Sequence, residues 1–300
     1  MAEHEQPLGL VVATHGRHFD VEMPDGNLRK CFPRGKKAGP AVGDFAYVQA
    51  QGNDEGVITG LAPRRNLLYR SDAMRSKQFA ANLDLLLYVI AAIPAFSEDL
   101  LGRALVAAHS ADIEPLIVLN KADLPETDGA WRRLAGIVPE GVAIIKVQAL
   151  DRHDVASQLA PRLSGRCSLL LGQSGMGKST LLNTLVPDAH AATRSHSEAL
   201  GAGRHTTTGT RLYHLPDGGS LIDSPGFQNF GLHHLSAEDI AQGFPEFRSA
   251  IEHCRYYNCS HRHEPGCGVL AALAERKISP ARHALYERLL NEHELAVPYR

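Results

Sequence analysis

Two kinds of hydrophobic spacing divide this chain. From about residue 8 to 68 the apolar positions come in short, alternating runs, at 9–13, 18–23, 45–49 and 56–60. Turn-forming residues separate them, Pro24-Asp25-Gly26-Asn27 and Val42-Gly43-Asp44 among them. Alternation of period two over so few residues predicts half-buried strands. Four or five of them in about sixty residues predict a small β-barrel, an OB-fold by its size. From about residue 82 to 232 the apolar runs become continuous. Residues 85–90 (LLLYVI) and 116–119 (LIVL) read as parallel strands covered on both faces. Further strands are expected at 143–147, 168–171 and 220–222. The stretch 98–108 has helical spacing, with Ser97 placed to cap it. Strands alternating with helices predict a doubly wound α/β domain. Beyond residue 236 the chain reads as helical, and Ser279-Pro280 marks the start of one helix over 279–290. The expected fold class is thus multidomain: a β-barrel over 1–70, an α/β domain over 71–232 and a helical domain over 233–300.

Charge changes this picture little. Thirty-one Lys and Arg against 33 Asp and Glu give a formal net charge of −2, which does not by itself point to nucleic acid. A local basic patch can still bind it. Arg29, Lys30, Arg34, Lys36 and Lys37 form such a run, read as lying between strands. It is either a solvated loop or an RNA-phosphate contact. The first residues, Met1-Ala2-Glu3-His4-Glu5, lack the basic start and apolar run of a secretory signal. The most apolar stretch, 83–96, contains Asp84 and Pro94 and is too short to cross a bilayer. A cytoplasmic protein without a membrane partner is expected.

The candidate chemistry lies in four motifs, and their order is unusual. Asn120-Lys121-Ala122-Asp123 comes first, at the end of the strand 116–119. In nucleotide-binding proteins such an Asp accepts hydrogen bonds from guanine N1 and the exocyclic amine, which adenine cannot match. About fifty residues later Gly172-Gln173-Ser174-Gly175-Met176-Gly177-Lys178-Ser179 fits G-x-x-x-x-G-K-[ST] between a strand and a helix that begins near Thr180. Its backbone N–H groups are expected to cradle phosphates, with Lys178 reaching the β- and γ-phosphates and the Ser179 hydroxyl on Mg²⁺. Asp223-Ser224-Pro225-Gly226 comes last. There Asp223 is placed to face Mg²⁺ and the Gly226 N–H to sense the γ-phosphate. Phe227 stands where many GTPases carry a water-positioning Gln, so slow intrinsic hydrolysis is expected. Between these motifs lies Gly203-Arg204-His205-Thr206-Thr207-Thr208. Thr207 is the candidate for closing on Mg²⁺ and the γ-phosphate. His205 is either a water-polarising group or an exposed loop histidine, and Arg204 is a candidate for phosphate or RNA.

The fourth motif is a metal set. Cys254-x4-Cys259-x-His261-x5-Cys267 supplies three thiolates and one imidazole, a full tetrahedral complement for a structural Zn²⁺. His263 competes with His261 by proximity. Clustered thiols in a reducing compartment favour a metal over disulfides. Cys31 and Cys167 stand apart and read as small apolar residues.

The predicted barrel, the order NKAD–GQSGMGKS–DSPG, the GRHTTT segment and the run CRYYNCSHRHEPGC together resemble the circularly permuted, small-ribosomal-subunit-dependent GTPase A family, over about residues 8–290. The resemblance implies an OB-fold, a permuted P-loop GTPase domain and a zinc-binding helical domain. It also implies GTP hydrolysis to GDP and phosphate, stimulated by the 30S subunit during its late maturation, with 16S rRNA as a partner. Some features depart from the family pattern, two of them at the nucleotide. Gln148 occupies a place near the base where Ser is commoner. Gly175 stands where potassium-activated GTPases carry Asn, so nothing supports potassium dependence.

In the permuted order the segment at 223–227 runs almost directly into the metal-binding domain, so γ-phosphate contacts are expected to reorient that domain. Two other readings stay open. One is a nucleotide-gated RNA adaptor in which hydrolysis is incidental; the other is a GTPase of metabolism or transport without RNA. Nothing in the sequence demands a dimer, and a monomer is expected.

Overall fold

The computed structural model describes residues 6–35, 39–71, 76–187, 189, 209–224 and 231–296. The first five strands, β1 (Leu8–Thr14), β2 (Phe19–Glu22), β3 (Leu28–Pro33), β4 (Phe45–Gln51) and β5 (Glu55–Leu61), close into a barrel. Their order is β1-β2-β3-β5-β4, and β4 pairs back onto β1. Only β3 and β5 run parallel. This is the connectivity of the expected OB-fold. Its interior is a separate apolar cluster of Val11, Phe19, Val21, Met23, Cys31, Ala46, Val48 and Ile58. Cys31 is therefore a core residue, as read.

One expectation is corrected here. Arg29 and Lys30 are not in a loop but on β3. Each keeps its charge at the surface while its aliphatic stem lies along the sheet. The Arg29 guanidinium donates to the Gly52 and Glu55 carbonyls, and Lys30 pairs with Glu55 at 3.6 Å. Arg34 follows the strand, and Lys36 and Lys37 lie outside the described residues.

A hairpin that the hydrophobic pattern did not announce, β6 (Leu67–Ser71) with β7 (Ser76–Ala81), links barrel to centre. It is anchored on the barrel by a buried Asp44, which accepts two hydrogen bonds of 2.7 Å from Arg64. The Asn82 amide donates to the Gly43 carbonyl at 2.8 Å.

The central sheet consists of β8 (Leu85–Ala91), β9 (Glu114–Asn120), β10 (Ala143–Val147), β11 (Cys167–Leu171), β12 (Arg211–His214) and β13 (Ser220–Asp223). The order is β10-β9-β8-β11-β13-β12, all parallel except β12. Every residue of β8 is buried, which is why its sequence is continuously apolar. Helices α1 (Glu98–Ser110), α2 (Thr127–Leu134), α3 (Arg152–Leu163) and α4 (Lys178–Leu185) connect the strands. The Ser97 hydroxyl accepts from Leu100 N, capping α1 as expected. The barrel strand β1 also pairs with β12 through Ala13 and Arg211, so the barrel and central strands form one continuous eleven-stranded sheet.

The C-terminal part contains α5 (Ala237–Gln242), a 3-10 turn (Pro245–Phe247), α6 (Arg248–Ile251), α7 (Gly268–Ala274) and α8 (Pro280–Ala296). Ser236 and Asp239 form a reciprocal capping box at the start of α5. Phe244, Phe247 and Tyr286 pack ring on ring at 5.0–5.3 Å. These rings belong to the same apolar cluster as β8, β9, β11 and α1. The helical part thus has no core of its own apart from the central domain.

Candidate nucleotide and metal sites

The carboxyl ends of the parallel strands bring the separated motifs together. This edge is where ligands bind in open α/β sheets. The loop after β11 is the phosphate-loop sequence, and α4 begins at its Lys178. The side chain of Met176 is buried, and its sulfur accepts from Ala91 N at 3.1 Å, pinning the loop to the end of β8. Gln173 Oε1 accepts from Ser97 N at 2.6 Å and ties the loop to the start of α1. Lys178 Nζ donates to the Gln173 carbonyl at 2.9 Å, spanning the loop. Ser174, Gly175 and Ser179 are exposed, while Gly172 is buried and Thr180 half-buried.

Asn120 is the hinge of the site. It is buried, its Nδ2 donates to the Met176 carbonyl at 2.8 Å, and its Oδ1 accepts from Ala149 N at 2.9 Å. One side chain therefore locks the phosphate loop to the loop after β10. One Nδ2 hydrogen remains for a ligand. Gly177 faces this amide with φ of +95°, and a Cβ there would fall 2.1 Å from Asn120 Nδ2. Only glycine permits this approach. Lys121 has φ of +58°, and its Nζ donates to the Ile93 carbonyl at 2.7 Å. Asp123 is exposed at the same edge, its carboxylate open to solvent.

Asp223 ends β13, beside β11. Burial raises its pKa, and the Ser224 amide and Lys178 counter that rise. Burial likewise lowers the Lys178 pKa, opposed by Asp223. A half-buried cation and a half-buried anion thus interact at the phosphate loop, each favouring the other's charged form. Arg204, His205, Thr206, Thr207, Thr208, Gly226 and Phe227 lie outside the described residues.

Several supporting residues carried no recognisable motif. Asp154 on α3 accepts from Gln148 N at 2.7 Å, and Thr184 on α4 donates to the Ala149 carbonyl at 2.7 Å. Together with Asn120 they shape the loop 148–150 and leave Leu150 80% exposed. Helical periodicity marked none of them, because each acts through a contact distant in sequence.

In the C-terminal part Cys254, Cys259, His261 and Cys267 converge, each offering one ligand atom within 4.8 Å of the others. Cys254 Sγ lies 3.5 Å from His261 Nδ1 and 4.0 Å from Cys267 Sγ, and Cys267 Sγ lies 3.6 Å from His261 Nδ1. These spacings suit ligand atoms around one ion bonded at about 2.0–2.3 Å. Burial pushes the Cys259 thiol up to about 12, and Cys267 and Cys254 add to that rise. A divalent cation at the centre reverses that preference, so the donor set fits a metal and suits bare thiolates poorly. His261 is buried and adopts φ of +60°, and its carbonyl lies 2.8 Å from His283 Nε2. His263 is not in the cluster.

A parallel sheet carrying a phosphate loop, a guanine-type Asn-Lys-x-Asp strand end and an aspartate-terminated strand defines a P-loop GTPase. The guanine element precedes the phosphate loop in the chain, so the domain is circularly permuted. The family model described as RsgA GTPase matches residues 61–233. A Bordetella pertussis protein named small ribosomal subunit biogenesis GTPase RsgA is 64% identical over 296 residues, covering 98% of this chain and 99% of its own. The Burkholderia pseudomallei protein of the same name is 56% identical, covering 96% and 93%. Among solved structures, YjeQ from Thermotoga maritima superposes with a TM-score of 0.74 at 28% identity, covering 96% of this chain and 99% of that one. YloQ, a circularly permuted GTPase, superposes with a TM-score of 0.71 at 25% identity over the whole of both chains. The chain belongs to the RsgA GTPase family, and its activity is GTP hydrolysis.

Proposed function

We propose that this GTPase acts in late maturation of the small ribosomal subunit, binding the 30S particle and its 16S rRNA and hydrolysing GTP faster when bound there. The observation that carries this reading is the 64% identity, across nearly all of both chains, with a protein named for small-subunit biogenesis. The surface supports it. Tyr257 is fully exposed on the loop between Cys254 and Cys259, and the Arg255 guanidinium stands 5.5 Å from the Tyr256 ring centroid. Exposed aromatics interleaved with arginine suit stacking on unpaired RNA bases. Arg29, Lys30 and Arg34 offer phosphate contacts on the barrel.

At the nucleotide, Asp123 reads guanine, with Asn120 and Lys121 framing the base. The backbone of Gly172, Gln173, Ser174, Gly175, Met176, Gly177 and Thr180 holds the phosphates, and Lys178 neutralises them. Ser179, Thr207 and Asp223 would hold Mg²⁺, which would supply charge neutralisation for the phosphates. Gly226 senses the γ-phosphate, and His205 orients water. Zn²⁺ on the Cys3His set braces the helical domain. The working protein is a cytoplasmic monomer of three units, 1–70, 71–232 and 233–300. GTP orders the two switch segments into a 30S-docking form, and hydrolysis releases the protein.

Steady-state GTP hydrolysis, alone and with 30S or 50S subunits, tests this. Slow turnover alone and a large rise with 30S only is expected. Equal rates with all three would sink the proposal. Lys178→Ala is expected to cut the stimulated rate at least about a hundredfold, by loss of a phosphate-facing charge. If that variant still supported subunit maturation, hydrolysis would be incidental and the protein an RNA adaptor.

A further inference from the structure

The turn joining β1 to β2 gathers a second set of metal-binding donors, unrelated to the thiolate cluster. We propose that His15, His18 and Asp20 form a metal site for a borderline divalent ion of the zinc type.

The backbone builds the site. His18 and Asp20 are two apart where the chain enters β2, so they share a face. His15 closes onto them across a tight turn in which His15 N donates to the His18 carbonyl at 2.9 Å and Arg17 N to the His15 carbonyl at 2.8 Å. One ligand atom from each of the three residues lies within 4.8 Å of the others. His15 Nε2 and Asp20 Oδ2 are 2.8 Å apart, and the two imidazoles stack with centroids 4.7 Å apart and planes 16° off parallel.

Around an ion bonded at about 2.0–2.1 Å, tetrahedral donors sit roughly 3.3 Å from each other. The His15–Asp20 contact, at 2.8 Å, must open slightly, a side-chain motion at a half-exposed turn.

The environment of His18 and Asp20 favours the form each would take at a metal. Burial, His15 and Lys30 lower the His18 pKa, which favours the neutral imidazole a metal needs. Asp20 is held below its ordinary range, because its His15 hydrogen bond and nearby His18 and Arg211 outweigh the opposing effect of burial. Lys30 and Arg211 are the positive neighbours that weigh against a cation. Lys30 is already paired with Glu55, and the Arg211 guanidinium lies 5.7 Å from the Tyr213 ring centroid.

Two imidazoles and a carboxylate suit Zn²⁺ and its neighbours in the divalent series, leaving one position for water or an anionic oxygen. The turn adjoins the point where β1 pairs with β12. A bound ion would brace the β1–β2 turn beside the junction with the GTPase sheet.

The test uses full-length protein with its Cys3His site loaded, equilibrated against Zn²⁺ buffered at micromolar free concentration, with bound zinc counted by mass spectrometry. A second equivalent is expected. It is lost in His18→Ala and in Asp20→Asn, while the first stays in both. A wild-type protein that stops at one equivalent overturns the proposal, as does a second equivalent that survives both substitutions. In wild-type protein the imidazole NMR signals of His15 and His18 should also shift on adding zinc. Unmoved signals would place any second ion elsewhere.

Discussion

The barrel and the helical part are attached to the same GTPase domain in opposite ways. The barrel keeps its own apolar interior and meets the central domain mainly along a seam of backbone. There Ala13 pairs with Arg211, Thr14 N donates to the Thr210 carbonyl at 3.2 Å, and His214 meets Glu22 at 2.7 Å. Among the described residues of β1–β5 and their connections, Val12 and Val42 are the buried side chains that join the large central cluster. The helical part shares that cluster outright. It also clamps α1 with charge: Arg103 donates to Asp99 at 2.6 Å and to both oxygens of Glu292 at 2.5 and 2.8 Å, while Arg288 reaches Asp99 at 3.1 Å. Buried apolar surface resists sliding because interiors are close-packed, whereas a hydrogen-bonded seam can open locally at modest cost.

This contrast bears on how nucleotide state reaches the surface. In sequence, the segment 190–208 leads into Gly209 and Thr210 at the barrel seam, and 225–230 leads into the helical part. The first adjoins a weak attachment and the second a strong one.

The comparison can be broken most severely at the metal. Cys259→Ser removes one of the four donors that would hold Zn²⁺, and metal binding in small zinc units contributes about 10–16 kcal/mol of apparent free energy. Zinc content should fall, and because the core is shared, the central domain should melt earlier too. Near-unchanged melting of the centre would show the two parts to be independent.

Packing gives the next effect. A Cβ at Gly102 on α1 would stand 2.5 Å from Leu285 Cδ2 on α8. Gly102→Leu overfills that contact and should cost about 1–3 kcal/mol in denaturant unfolding. The seam should respond less. A Cβ at Gly209 would fall 2.4 Å from the Thr14 carbonyl oxygen. Gly209→Ala should cost about 0.5–1.5 kcal/mol, the net worth of a hydrogen bond. Amide exchange should speed up at Ala13, Thr14 and Arg211 while Val21 and Val48 in the barrel core stay protected. Loss of protection throughout the barrel would mean that it is not a separate unit.

Acid gives the smallest and most local effect. Burial would raise the Asp99 pKa, but its hydrogen bonds to Arg103 and Arg288 outweigh this and hold it below the ordinary 3.8. A carboxylate depressed in the folded state stabilises above its unfolded value and loses that contribution as pH falls through the folded one. Melting of wild type should therefore drop below about pH 4 more steeply than that of Asp99→Asn. Parallel pH profiles would show that the ionic clamp contributes nothing.

Much of this was legible in the chain. The strands β8, β9 and β11 were readable because their runs 85–90, 116–119 and 169–171 are buried and continuously apolar. The phosphate loop and the Cys3His set were readable because their chemistry demands particular residues at particular spacings. β3 was missed because Arg29 and Lys30 cover the sheet with their stems while showing charge in sequence. Asp154, Thr184 and the anchoring sulfur of Met176 carry no pattern, since each is defined by its partner.

By itself, then, the sequence determined the local elements, the permuted order of the GTPase motifs and the Cys3His donor set. Each rests on periodicity or donor type within a few residues. Only the tertiary structure decided that Asn120 joins two loops, that β1 extends the GTPase sheet through β12, and that the helical part has no core of its own. Those outcomes depend on pairings between residues far apart in the chain, which are selected by the packing of whole surfaces.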